Sequence, residues 1–188
     1  MISADRFNIR NTSLPGLHLI DRRPIKDDRG MLERIYCQDT IGELSNGKVI
    51  RQITKTLTVK KGTVRGLHFQ KPPYAETKII TCLKGKIWDV AVDLRKNSPT
   101  FLNYFAVELS ENQHSSLLVP EGFAHGFQSL TNDCEIIYFN TSNHNPDAER
   151  GINALDPKLS IHWPLEISLR SVKDANSPFI EKNFNGLE

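Results

Sequence analysis

No stretch of this sequence stays apolar for the roughly 20 residues that a helix needs to cross a bilayer, and Met1 to Arg10 holds no apolar run either. A soluble intracellular protein is expected on that ground. Charge of one sign is scarce too: 24 Lys and Arg stand against 22 Asp and Glu, a net +2, scattered along the chain. A nucleic-acid partner needs a clustered basic face, so none is expected. Cysteine is rare, and Cys37, Cys82 and Cys134 are an odd set whose spacing matches no metal motif. The latter two sit in apolar runs, where a thiol behaves as a small hydrophobe, and a reduced, cytoplasmic setting follows. Long amphipathic periodicity is also missing, which argues against βαβ units.

Short strands with turn punctuation are what the sequence does contain. Leu17 to Ile20, Met31 to Tyr36, Ile50 to Val59, Arg65 to Gln70, Lys78 to Leu83, Lys86 to Leu94, Asn103 to Glu108, Ser115 to Val119, Gly126 to Leu130 and Glu135 to Asn140 read as strands bounded by Gly, Pro, Asn or Ser. Such spacing predicts an all-β, antiparallel jelly-roll barrel or sandwich with short peripheral helices. One unit over residues 1–188, with N-terminal strands and a C-terminal extension, suits the length. Asp39 is placed to cap a short helix running through Leu44 that exits at Asn46-Gly47, and Lys84-Gly85 reads as a tight hairpin. The tail from Gly151 to Glu188 has weak periodicity and is expected to wrap the sheet. In the run Lys86 to Leu94, Trp88, Val90, Val92 and Leu94 share one face, and Ile87, Asp89, Ala91 and Asp93 the other. The second face is either a lined cavity or a solvated sheet surface.

The chemistry centres on Arg65-Gly66-Leu67-His68-Phe69-Gln70, ended by Pro72-Pro73. Strand alternation puts Arg65, Leu67 and Phe69 on one face and His68 and Gln70 on the other. Val119-Pro120-Glu121-Gly122-Phe123-Ala124-His125-Gly126 has the Pro-x-Gly-x-x-His form of the second cupin motif. Metal cupins supply His-x-His in their first motif, and that place here reads His68-Phe69-Gln70. With His68 and His125 as the convergent ligands and no third, neither a metal nor another cofactor is expected. The remaining polar groups, His68, Lys78, His125, Tyr138, Glu149 and Asp174, suit proton abstraction beside a carbonyl. Taken singly, each has an ordinary use: a bonded strand histidine, surface charges at Lys78 and Glu149, a packing aromatic at Tyr138, a helix cap at Asp174.

Together with Lys78, Trp88 to Phe101 and Ile137-Tyr138, these two motifs resemble the dTDP-4-dehydrorhamnose 3,5-epimerase family from about Leu17 to Pro178. The resemblance implies a metal-free, dimeric jelly roll of the cupin class that acts on a nucleotide-diphosphate 4-keto sugar. It implies His68 as catalytic base, Asp174 as its orienting carboxylate, Tyr138 as the acid on the opposite face and Lys78 as the enolate donor. Arg29, Gln52, Arg65, His125, Glu149 and Lys173 would bind the nucleotide sugar.

The chain departs from the family pattern at Arg34, where Glu is usual, at Thr54 for Asn, at Phe139 for Lys, and at Asn143-His144 for a tyrosine ahead of the proline. A guanidinium donates where a carboxylate accepts, so Arg34 and Thr54 lead to the expectation that nucleotide preference has moved away from thymidine. The alternatives are a mono-epimerase or ketoisomerase on a CDP-, UDP- or GDP-sugar, and a non-catalytic cupin that binds sugar nucleotides. A metal cupin oxygenase is disfavoured by Gln70.

Overall fold

The computed structural model describes residues 6–188, and the expected unit's first five residues lie outside them. In chain order the strands are β1 (Phe7–Asn11), β2 (His18–Arg22), β3 (Ile25–Asp27), β4 (Gly30–Leu32), β5 (Gln52–Thr58), β6 (Val64–Gln70) and β7 (Lys78–Lys84). They continue with β8 (Lys86–Asp93), β9 (Tyr104–Ser110), β10 (Ser115–Val119), β11 (Phe123–Ser129), β12 (Cys134–Asn140) and β13 (Glu149–Gly151). Among the described residues the helical elements are α1 (Gln38–Ile41), continued by a 3-10 turn over Gly42–Ser45, and α2 (Val172–Ala175).

Two antiparallel sheets face each other, one in the order β1-β2-β10-β7-β12-β5 and one in the order β13-β6-β11-β8-β9, while β3 and β4 pair apart as a ribbon. The jelly-roll class expected from the strand pattern is the one observed. Alternation along each strand divides the apolar residues into three layers. Ile80, Ile87, Ala91, Leu117, Phe127 and Ile136 fill the space between the sheets. Val90, Val92 and Leu94 face outward and are covered by Ile161, Trp163, Ile180 and Phe184 of the tail, which wraps the five-stranded sheet as expected. Ile79, Leu118 and Phe139 face outward from the other sheet and are covered by Ile35, Tyr36 and Ile41. Truncating a fully buried member such as Phe127 to Ala costs about 3–5 kcal/mol in such a core.

Three expectations are corrected. The strand expected over Met31 to Tyr36 ends at Leu32, and residues 33–37 lie irregularly across the six-stranded sheet. Tyr36 stacks on Phe139 at 5.7 Å, and Glu33 accepts from His114 at 2.9 Å and pairs with the buried Arg22, so the alternation there served packing on a face rather than strand pairing. Asp39 does not cap α1: Cys37 holds the cap position with no side-chain hydrogen bond, and Asp39 sits in the first turn. The exit at Asn46 and Gly47, both at positive φ, is as expected. Lys84-Gly85 is not a hairpin, because β7 pairs with β10 and β12 whereas β8 pairs with β9 and β11. The turn carries the chain from one sheet to the other, and Gly85 is required there because a Cβ would meet Thr131 Oγ1 at 2.4 Å with φ at +77°.

Candidate active site

A cavity of about 710 Å³ opens between the sheets, and Gln52, Arg65, His68, Lys78, His125, Tyr138, Glu149, Lys173 and Asp174 all line it. Of the site residues expected from sequence, Arg29 alone is elsewhere. It stands at the β3–β4 turn, paired with Asp27 in an exposed contact, on a ribbon that joins neither main sheet.

The wall made by β6 and β11 holds the first acid–base group. His68 and His125 are register partners across these strands, and three β6 steps from Arg65 to His68 match two β11 steps from Phe127 to His125. This bulge gives β6 one extra residue, which returns Arg65 to the face of His68. Strict alternation had placed them on opposite faces, so that expectation is corrected. Gly66 makes the bulge possible: it has φ +111°, and a Cβ would lie 2.7 Å from both Gly126 Cα and His125 O. Leu67 and Phe69 turn outward into the layer under the tail, as alternation required.

His68 Nε2 lies 2.7 Å from Asp174 Oδ1, and Asp174 Oδ2 accepts from the Gly66 backbone N–H at 3.2 Å. Asp174 arrives on α2, whose cap is Ser171: the Ser171 hydroxyl accepts from the Asp174 N–H at 3.0 Å. Burial pushes the Asp174 carboxyl up, but the bonds from His68, Gly66 and Ser171 outweigh it and hold the group below the usual carboxylate range. An ionised carboxylate only accepts, so His68 donates to it through Nε2, which leaves Nδ1 as the ring nitrogen turned away from Asp174. His68 is 29 % exposed to the cavity, whereas its partner is 5 % exposed.

Behind it lies a second pair that sequence reasoning had not assembled. His125 Nε2 is 2.7 Å from Asp89 Oδ1, and both side chains are buried. Asp89 was signalled only as a carboxylate on the face it shares with Ile87 and Ala91, and that face is the cavity side. Asp93, placed on the same face, is withdrawn into a cluster of bonds from Arg95, Ser98 and Thr100 at the end of β8. Burial raises its carboxyl, yet those bonds leave it at about 2.

The opposite wall belongs to the six-stranded sheet. Tyr138 on β12 faces the cavity edge-on to His125, with ring centroids 6.2 Å apart. Burial, together with the Asp89 carboxylate, pushes its phenol well above the ordinary tyrosine value, so it carries its proton at neutral pH. Lys78, at the start of β7, pairs in register with Asn140, and its side chain is 15 % exposed.

More exposed groups mark the mouth. Arg65 reaches across to the other sheet and donates to Thr58 Oγ1 at 3.0 Å and to Leu57 O at 3.2 Å. Glu149 pairs with Lys173 and lies 3.3 Å from His144 Nε2. Burial raises the Glu149 carboxyl, and these two partners bring it below its usual range. Gln52 Oε1 accepts from the His144 backbone N–H at 3.0 Å. Gln70, which stands where metal cupins carry a histidine, binds backbone instead: its amide donates to Tyr74 O and Asn143 O and accepts from Asn145 N. Among the described residues no three His, Cys, Asp or Glu side chains gather as a metal site. Thr54 lines the cavity, whereas Arg34 is not among its lining residues.

Comparison with known proteins agrees with this geometry. The family model described as dTDP-4-dehydrorhamnose 3,5-epimerase matches residues 11–182. A dTDP-4-dehydrorhamnose 3,5-epimerase of Shigella flexneri is 35 % identical over 95 % of this chain and 99 % of its own. A solved dTDP-4-dehydrorhamnose 3,5-epimerase of Bacillus anthracis with TDP and pyrophosphate bound superposes with a TM-score of 0.89 at 36 % identity, over 93 % of this chain and 99 % of its own. A 3,5-epimerase of Legionella pneumophila in complex with dTDP-4-keto-L-rhamnose superposes at 0.87 with 34 % identity, over 92 % of each chain. With the family model matching residues 11–182 and relatives at about a third identity covering nearly the whole chain, this chain belongs to the dTDP-4-dehydrorhamnose 3,5-epimerase family.

Proposed function

We propose that this chain inverts carbons 3 and 5 of a dTDP-linked 4-keto-6-deoxyhexose as one jelly-roll unit. The observation that carries the reading is the placement of His68 and Tyr138 on opposing sheets of a single cavity. A hydrogen next to the C4 ketone is acidic because its removal gives an enolate. His68 Nδ1 takes that proton, with Asp174 stabilising the imidazolium that forms. The Lys78 ammonium holds the enolate oxygen. Tyr138 O–H then donates to the other face of the carbon, leaving a phenolate that recovers its proton by way of His68 or water. Inversion needs both walls, since a proton returned by His68 alone regenerates the substrate.

The floor of the cavity is the least exposed region and suits the sugar, whereas Arg65, Lys173, Gln52 and Glu149 at the mouth suit the nucleoside diphosphate. Binding of TDP and of dTDP-4-keto-L-rhamnose by the two solved relatives supports dTDP as the nucleotide.

A homodimer fits the exposed apolar residues of the ribbon, Ile25, Met31 and Leu32, and those of the edge strand β5, Ile53 and Leu57. A second copy receiving the ribbon would also bring Arg29 to a neighbouring cavity. Cytoplasmic residence is supported by three cysteines that are all free.

The deciding measurement is proton NMR in D₂O of dTDP-4-keto-6-deoxyglucose with the purified chain. Loss of both the C3 and C5 proton signals, with product inverted at both, is the expected result; exchange at one carbon makes the chain a mono-epimerase. The matching 4-hydroxy nucleotide sugar should exchange nothing, and exchange there would overturn the enolate chemistry.

A further inference from the structure

We infer that Glu76 is a positioning residue for this reaction, holding the Lys78 ammonium toward the cavity through a fixed Asn140–Glu76–Lys78 chain. The inference rests on the function proposed above and adds a residue to it. Lys78 has three N–H bonds and a flexible four-carbon stem, so an isolated ammonium would sample several rotamers. Among the described residues the group that pairs with it is Glu76, with Oε1 3.2 Å from Lys78 Nζ. Glu76 is itself 8 % exposed, an unusual place for a carboxylate on the wall of a cavity that must bind an anionic sugar nucleotide and stabilise an enolate. Facing the substrate unpaired, it would oppose both.

Its surroundings explain its presence. Although Glu76 precedes β7, the backbone there is not loose: Thr77 N–H donates to Thr141 Oγ1 at 2.9 Å and Thr141 N–H to Thr77 O at 3.1 Å, extending the β7–β12 ladder beyond the Lys78 and Asn140 pair. The second carboxylate oxygen, Oε2, accepts from Asn140 Nδ2 at 2.6 Å. A carboxylate accepts only, so this bond fixes which way the Asn140 amide points and fixes the carboxylate plane in turn. With one oxygen committed to Asn140, the other draws Lys78 Nζ to one position. The remaining ammonium hydrogens stay available for the enolate oxygen, which is the preorganisation that electrostatic catalysis needs. Both partners of Glu76 line the cavity with it.

The test is a double-mutant cycle on the full chain with the 4-keto nucleotide sugar, reading kcat, KM and deuterium wash-in. Glu76→Gln keeps the shape and an acceptor for Asn140 while removing the charge. It should lower kcat about tenfold and leave KM within about twofold. In a Lys78→Met background, followed over hours so that slow rates stay measurable, the same change should cost less than about twofold. Glu76→Asp, which restores the charge on a shorter arm, should recover part of the loss. Wild-type kcat in Glu76→Gln, or an equal loss with and without the Lys78 ammonium, overturns the inference. If Glu76→Gln does not fold, Asn140→Ala serves, with a smaller kcat loss that again requires Lys78; no loss, or one independent of Lys78, overturns it equally. A wild type that exchanges no carbon-bound hydrogen removes the reaction and this inference together, whereas an active wild type with additive variants removes the inference alone.

Discussion

Two histidine–aspartate pairs stand side by side, their histidines on adjacent strands of one sheet and with the same 2.7 Å contact through Nε2, yet their surroundings differ. In the His68 pair the carboxylate comes from α2, 106 residues along the chain, and the imidazole is open to the cavity. In the His125 pair the carboxylate comes from the adjacent strand β8, and both side chains are buried. Asp174 satisfies its second oxygen with the Gly66 N–H, while the second oxygen of Asp89 has no hydrogen-bond partner. A base must exchange protons with substrate and solvent, so exposure of the ring and full satisfaction of its carboxylate suit His68. A buried imidazole held from behind suits a fixed floor that orients substrate and shapes the Tyr138 environment.

The comparison breaks first at His68. His68→Asn should remove wash-in and inversion together, by about 10²- to 10⁴-fold, the range of a positioned general base; His125→Asn with the same loss of wash-in would erase the distinction. Tyr138→Phe comes next: inversion should fall about 100-fold while wash-in through His68 continues. Near-wild-type product formation by that variant would take Tyr138 out of the acid role.

Removing the carboxylates should split stability from rate. Asp89→Ala leaves a buried imidazole nitrogen without its hydrogen-bond partner and should cost about 1–3 kcal/mol by denaturant unfolding. Asp174→Ala, at the cavity edge, should cost less stability while lowering kcat about tenfold or more. Equal effects on both readouts would make the two pairs equivalent.

Acid should expose a smaller difference. Asp174 and Asp93 are both held below their ordinary value of 3.8 in the folded chain, Asp93 at about 2. A depressed carboxyl stabilises the fold fully above its unfolded value, and that contribution is lost as pH falls through the folded one. Thermal midpoints should therefore hold steady down to about pH 5 and decline between about pH 4 and pH 2. Asp93→Asn should flatten that decline more than Asp174→Asn, because its group is the more strongly depressed. The smallest expected effect is none: dialysis against EDTA should leave wash-in and inversion unchanged, and recovery only with an added divalent ion would give the two histidines a shared metal instead of separate carboxylates.

By itself the sequence determined the all-β class and most strand positions, and nine of the ten residues it singled out line the cavity, because period-2 alternation, turn residues and the two motif segments are local properties of the chain. It also pointed to the inward face of β8, which carries Asp89. What only the tertiary structure decided depends on distance and register. The bulge at Gly66 reversed the parity that separated Arg65 from His68, and nothing in an alternating strand announces a one-residue insertion until the partner strand is in place. Gly85 reads locally as a hairpin turn, and only the pairing of its flanking strands reveals a crossing between sheets. Arg29 was legible as a residue type but not as a location, since the ribbon that bears it pairs with neither main sheet. Asp89 with His125, and Glu76 with Asn140, are pairings between residues far apart in sequence. Their partners are chosen by three-dimensional packing, which no single stretch of sequence contains.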